Sequence, residues 1–145
     1  MISIDETTVT EDLLTETLVH ELCHAARWGK NDEWMNTLFD GMISEGIATY
    51  FESEFVKDKS RKQLFLTTVV NRTDEENKQI LDSLKDQLQN KRYDYQTIFF
   101  NGNEQLPCWS GYSLGYLTVK KYLEKTGKPI EEAFADKYKD IESAL

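Results

Sequence analysis

Cysteine is scarce in this chain: 145 residues carry only Cys23 and Cys108. Two thiols make no disulfide framework, and such usage fits a reducing, cytoplasmic setting. No apolar run approaches the roughly 20 residues needed to span a bilayer. The opening MISIDETTVTEDLL has neither a basic n-region nor an apolar h-region, so no secretion signal is expected there. Positive charge is also short, with 17 Lys and Arg against 26 Asp and Glu and a net charge of −9. A surface that negative repels phosphate backbones and anionic lipid heads, which argues against nucleic-acid and membrane partners. Helix breakers are few, at two prolines and seven glycines. Long alternating runs of β-branched residues are missing, so the chain reads as mainly α. Only Ile2-Ser3-Ile4 alternates, and it allows at most one short N-terminal strand. Nothing in the pattern fixes an oligomeric state.

The length suits one domain over 1–145, large enough to bury a core without staples. A first helix is expected from about Thr10, a capping residue, to Trp28, with Gly29 after it. Leu14, Leu18, Leu22 and Ala25 recur at helical spacing and predict its buried stripe. A second helix is expected over roughly Asn36 to Val56, with Phe39, Ile43, Ile47, Tyr50 and Phe55 as its apolar face. Thr73 and Glu76 form a capping-box signature that opens a third, with Ile80, Leu81, Leu84 and Leu88 inward. The stretch 60–71 fits helix or strand and is assigned to helix. A loop over about 101–107 leads to a fourth helix from Ser110 to Thr126. A last helix is expected over Ile130 to Tyr138.

The chain's only two histidines stand in His20-Glu21-Leu22-Cys23-His24. On a helix, residues four apart share a face, so both imidazoles can reach one zinc ion. Glu21 beside them can reach a metal-bound water. The histidines lie two residues, about 200° of rotation, off the leucine register, so they should point away from the core. Catalytic zinc usually takes three protein ligands and keeps one position for water. With no third histidine, the remaining ligand is a carboxylate or Cys108. The best-spaced carboxylate is Glu45, after a turn and an antiparallel return of the second helix. Small Gly46 and Ala48 would let that helix approach the first closely. Cys23, at a variable position of the motif, reads as a small buried residue.

HELCH followed by SEGIATYFE resembles the gluzincin metallopeptidases, whose third zinc ligand is the glutamate of an E-G-x-A element on the next helix. That resemblance implies Glu45 as the ligand. More narrowly, the chain is similar to a bacterial family of predicted zinc-dependent proteases. The similarity rests on HELCHAAR, ISEGIATYFE and the stretch from Phe100-Asn101-Gly102 to Gly111-Tyr112-Ser113-Leu114-Gly115-Tyr116. It is least distinctive over 57–95. In the related aminopeptidases, a tyrosine of a Tyr-x-x-Gly element opening a late helix donates to the tetrahedral oxyanion. Tyr112 matches that element, with Tyr116 one turn on as the fallback. Arg27 recurs in the narrower motif and either binds a substrate carboxylate or holds a nearby loop. The Gly-x-Met-Glu-Asn element that grips a free amino group in the aminopeptidases has no match before His20, so exopeptidase specificity is not implied. Ile2-Ser3-Ile4 could serve as an edge strand for an extended peptide.

The resulting expectation is a zincin-like helical domain that hydrolyses peptide bonds of a peptide or protein substrate. His20, His24 and Glu45 hold Zn²⁺, Glu21 is the general base and Tyr112 the oxyanion donor. The rival is an inactive helical module that binds peptides or a partner protein and retains a zinc site.

Overall fold

The computed structural model describes residues 10–56, 63–143 and 145. Every regular element among these residues is helical. The Ile2–Ile4 strand expected above lies outside them. No helix among the described residues is long and apolar enough to cross a membrane.

Helix α1 spans Glu11–Trp28. The Thr10 side chain caps it by accepting from the Leu13 N–H at 3.1 Å, and Glu11 and Asp12 face the positive end of its dipole. Helix α2, Leu38–Phe55, starts two residues later than expected because Thr37 and Asp40 form the capping box. It is buried on every side, from Leu38 and Phe39 through Met42 and Ile43 to Ile47 and Thr49. A helix apolar all round belongs in the middle of a fold. One apolar cluster, around Ile43, Ile47, Val119 and Phe134, lies on one side of it, and another, around Met42, Leu84, Phe99 and Leu114, on the other.

Helices α3 (Leu64–Asn71) and α4 (Asp74–Leu84) flank the second cluster. The Thr73–Glu76 capping box forms as expected, and the ambiguous 60–71 stretch is helical from Leu64 on. A 3₁₀ turn at Lys85–Gln87 and a π-helical turn at Thr97–Asn101 lead to α5, Ser110–Thr126. Gly127, at φ 70°, ends α5 in the left-handed conformation that glycine adopts freely. The single last helix is corrected to two short ones, α6 (Ile130–Ala133) and α7 (Tyr138–Glu142). Between them Asp136 turns inward to accept from Tyr122 and Lys128 at 2.8 Å each, which breaks the run.

Two expectations about packing are overturned. The leucine stripe of α1 faces outward: Leu14, Leu18 and Leu22 are 36%, 44% and 63% exposed. The buried side of α1 carries Glu16, Val19, Cys23 and Arg27, and the histidines lie beside it, facing α2. Carboxylates on α2 reward the polar side of α1, and that outweighs the apolar match. Phe55, expected on the inner face of α2, is likewise exposed at 62%. Secondly, Gly46 serves the crossing of α2 with α5, not with α1. A Cβ on Gly46 would overlap the Gly115 backbone, and one on Gly115 would overlap the Met42 carbonyl. These two glycines set how closely α2 and α5 approach, and with that the position of Glu45 relative to Tyr112.

Candidate functional site

The central turns of α1 and α2 meet at the wall of a cavity of about 650 Å³. His20 and His24, one turn apart on α1, line it, and Glu45 of α2 meets them there. The Glu45 Oε2 atom lies 3.1 Å from His20 Nε2 and 3.5 Å from His24 Nε2. The three donor atoms lie within 4.8 Å of one another. Donors bound to one tetrahedral zinc at about 2.1 Å would stand about 3.4 Å apart, so these side chains suit such an ion with small adjustments. Two imidazoles and one carboxylate are also the donor chemistry that zinc prefers.

Sequence reasoning missed the fourth participant, Glu52. It is buried at 3% exposure, and its Oε2 atom lies 3.1 Å from His20 Nδ1. A carboxylate there fixes the ring orientation and holds the proton on Nδ1, leaving Nε2 for the metal side. The signal was present in the spacing: Glu52 follows Glu45 by seven residues, two turns along the same helical face. Without a metal, both nitrogens of His20 face carboxylates. Burial works against its protonation, but the hydrogen bonds to Glu45 and Glu52 outweigh burial, and its pKa is raised. Burial alone would push the Glu45 carboxyl up, yet the two histidines hold it well below the usual carboxylate range.

Glu21 is exposed and presents its carboxylate to the open cavity. Tyr112, at the start of α5, is 8% exposed and also lines the cavity. Its ring meets the His20 ring edge-on at 6.2 Å and is held by Phe65 at 4.8 Å and Phe99 at 5.4 Å. Burial, then the charge of Glu45, then Tyr95 and Glu21, all raise the pKa of the Tyr112 hydroxyl, so it remains a proton donor. Tyr95 shares the cavity, its hydroxyl pushed up to about 12 chiefly by burial and then by Glu45. No sequence pattern pointed to Tyr95, which opens the short helical turn that runs into the π-helical one.

Of the other candidates, Tyr116, Cys108 and Cys23 fall elsewhere, while Arg27 lines the cavity. Tyr116 stacks on Tyr50 at 5.6 Å and is not among the cavity residues. Cys108 is half-buried, does not line the cavity, and offers its backbone carbonyl to Arg72 at 3.1 Å. Cys23 is 1% exposed in the core, with burial pushing its thiol up to about 12. Arg27 holds a loop: its guanidinium donates to the carbonyls of Ala133, Phe134 and Asp136 at 2.9–3.2 Å. It also lies over the Tyr138 ring at 4.9 Å.

The family model for "Predicted Zn-dependent protease (DUF2268)" matches residues 1–143 of the chain. The chain belongs to that family. No curated protein and no solved structure matches it.

Proposed function

We propose that this chain is a zinc-dependent peptidase of gluzincin type, contained in one domain. The observation that carries the reading is the convergence of His20, His24 and Glu45 on one point, with Glu21 and Tyr112 facing the same cavity. His20, His24 and Glu45 would hold zinc, and Glu52 would keep the His20 ring turned towards it. Zinc bound there would lower the pKa of a water towards 7 and polarise the scissile carbonyl. Glu21 accepts a proton from the attacking water and returns it to the departing amine. The Tyr112 hydroxyl donates to the carbonyl oxygen as that oxygen gains charge. Phe65 and Phe99 pack edge-on against the ring that carries this hydroxyl.

The experiment is hydrolysis of a mixed peptide library by the zinc-loaded protein, read by mass spectrometry. Tyr112→Phe should lower kcat by about 10²–10³-fold, the usual loss for one oxyanion donor. Its melting temperature and zinc content should stay close to wild type, because no ligand is touched. Equal kcat for the two proteins would remove Tyr112 from the mechanism. Absence of cleavage by zinc-loaded wild type would favour the binding-module rival.

A further inference from the structure

The cleft does not stop at the metal-ligating residues. Leu13, Thr17, His20, His24 and Trp28 all line it, spaced at three or four residues along one face of α1. From Leu13 to Trp28 the helix rises about 22 Å at ~1.5 Å per residue. An extended chain advances about 3.3 Å per residue, so roughly seven substrate residues fit alongside. His20 and His24 lie within this length, with Leu13 and Thr17 before them along the helix and Trp28 after them.

The Trp28 end is unusual in what it exposes. Trp28 and Trp34 are 61% and 58% exposed, and their rings meet edge-on at 5.3 Å. Met35, 40% exposed, lines the cleft beside them. Trp28 follows His24 by one turn, so its indole continues the face that carries the histidines. Two exposed indoles and a thioether offer a large apolar surface, and such a patch on a soluble chain marks a binding site. Glu21 lines the same cleft and its negative charge disfavours an acidic side chain, whereas Glu33 is engaged by the Tyr138 N–H at 2.8 Å and by Lys137 at 3.8 Å.

We propose that the cleft takes an internal segment of an extended polypeptide and seats a large apolar side chain of it, aromatic or leucine-like, against Trp28 and Trp34. This deepens the peptidase reading and rests on it for the chemistry, but the binding part can be tested alone. The probes are ten-residue peptides acetylated at the N-terminus and amidated at the C-terminus, alike except for Phe, Ala or Glu at one central position. Binding to zinc-supplemented Glu21→Gln protein is followed by tryptophan fluorescence, and hydrolysis by wild type by mass spectrometry. The Phe peptide should bind about tenfold or more tightly than either the Ala or the Glu peptide, the scale expected for one apolar side chain in a pocket. Wild type should cut the Phe peptide although both ends are blocked. In Trp28→Ala and in Trp34→Ala the Phe-over-Ala preference should collapse towards one. Equal binding of the Phe and Ala peptides, or a preference that survives both substitutions, would overturn the proposal. So would cleavage confined to peptides with a free end. Phe-selective binding without any hydrolysis by wild type would uphold the seat and defeat the peptidase reading instead.

Discussion

Glu21→Gln should lower peptide hydrolysis by about 10²–10⁴-fold while the protein stays folded and keeps its zinc affinity. The amide has nearly the shape of the carboxylate but cannot accept the water's proton. Glu21 is exposed and points into the cavity, so the exchange disturbs no packed core. It is also outside the His20–His24–Glu45 cluster, so the donor atoms for the metal are unchanged. Kinetics on one defined peptide, with metal content measured on the same samples, checks both halves. A variant as active as wild type would show that another group moves the proton. A variant that lost its zinc would show that Glu21 belongs with the ligands.

The largest stability effect should follow from Gly115→Ala. The new Cβ would meet the Met42 carbonyl oxygen, and Gly46 Cα stands only 3.1 Å from the same position. Both obstacles are backbone, so no side chain can swing aside and α5 must move off α2. Overpacking usually costs about 1–3 kcal/mol, and a clash between two backbones belongs at or above the top of that range. At this size ~3 kcal/mol lowers the melting temperature by roughly 10 °C. Zinc affinity should fall as well, because the clash that separates α5 from α2 acts at Gly46, next to Glu45. Gly29→Ala is the control: its nearest neighbour would be the Ala26 carbonyl at an ordinary 3.6 Å, and its φ of −71° suits alanine. Thermal melts of the three proteins decide the matter; a Gly115→Ala variant as stable as the control would mean that the helices are not so closely held.

Local chemistry in the sequence carried far. Thr10, Thr73 and Gly127 mark helix ends that the structure shows where their side chains, or lack of one, require them. His20, His24 and Glu45 could be singled out from two short motifs, and the fold brings their donor atoms together. What failed was the choice of faces. The leucine stripe of α1 looked like the inner side because apolar periodicity takes no account of the partner. Here the partner is α2, whose Glu45 and Glu52 face His20 and make the polar side of α1 the one that packs. Gly46 was assigned to the wrong crossing for the same reason: a small residue announces a close approach but not which helix approaches. The break between α6 and α7 is held by the contacts of Asp136 with Tyr122 and Lys128 and by Arg27, more than a hundred residues away, which takes the carbonyls of Ala133, Phe134 and Asp136. Separations of that length leave no local pattern.

The central claim is that His20, His24 and Glu45 hold one zinc ion, and calorimetric titration of zinc into metal-free protein tests it most directly. One ion should bind per chain. Affinity should rise with pH through the interval between the ordinary histidine value of 6.5 and the raised value of His20, because zinc must displace a proton that Glu45 and Glu52 help retain. Proton release, read from the buffer dependence of the heat, should accompany binding within that interval. Separate His20→Ala, His24→Ala and Glu45→Ala variants should each lose tight binding. Stoichiometric, tight zinc binding by a protein lacking both His20 and His24 would contradict the account.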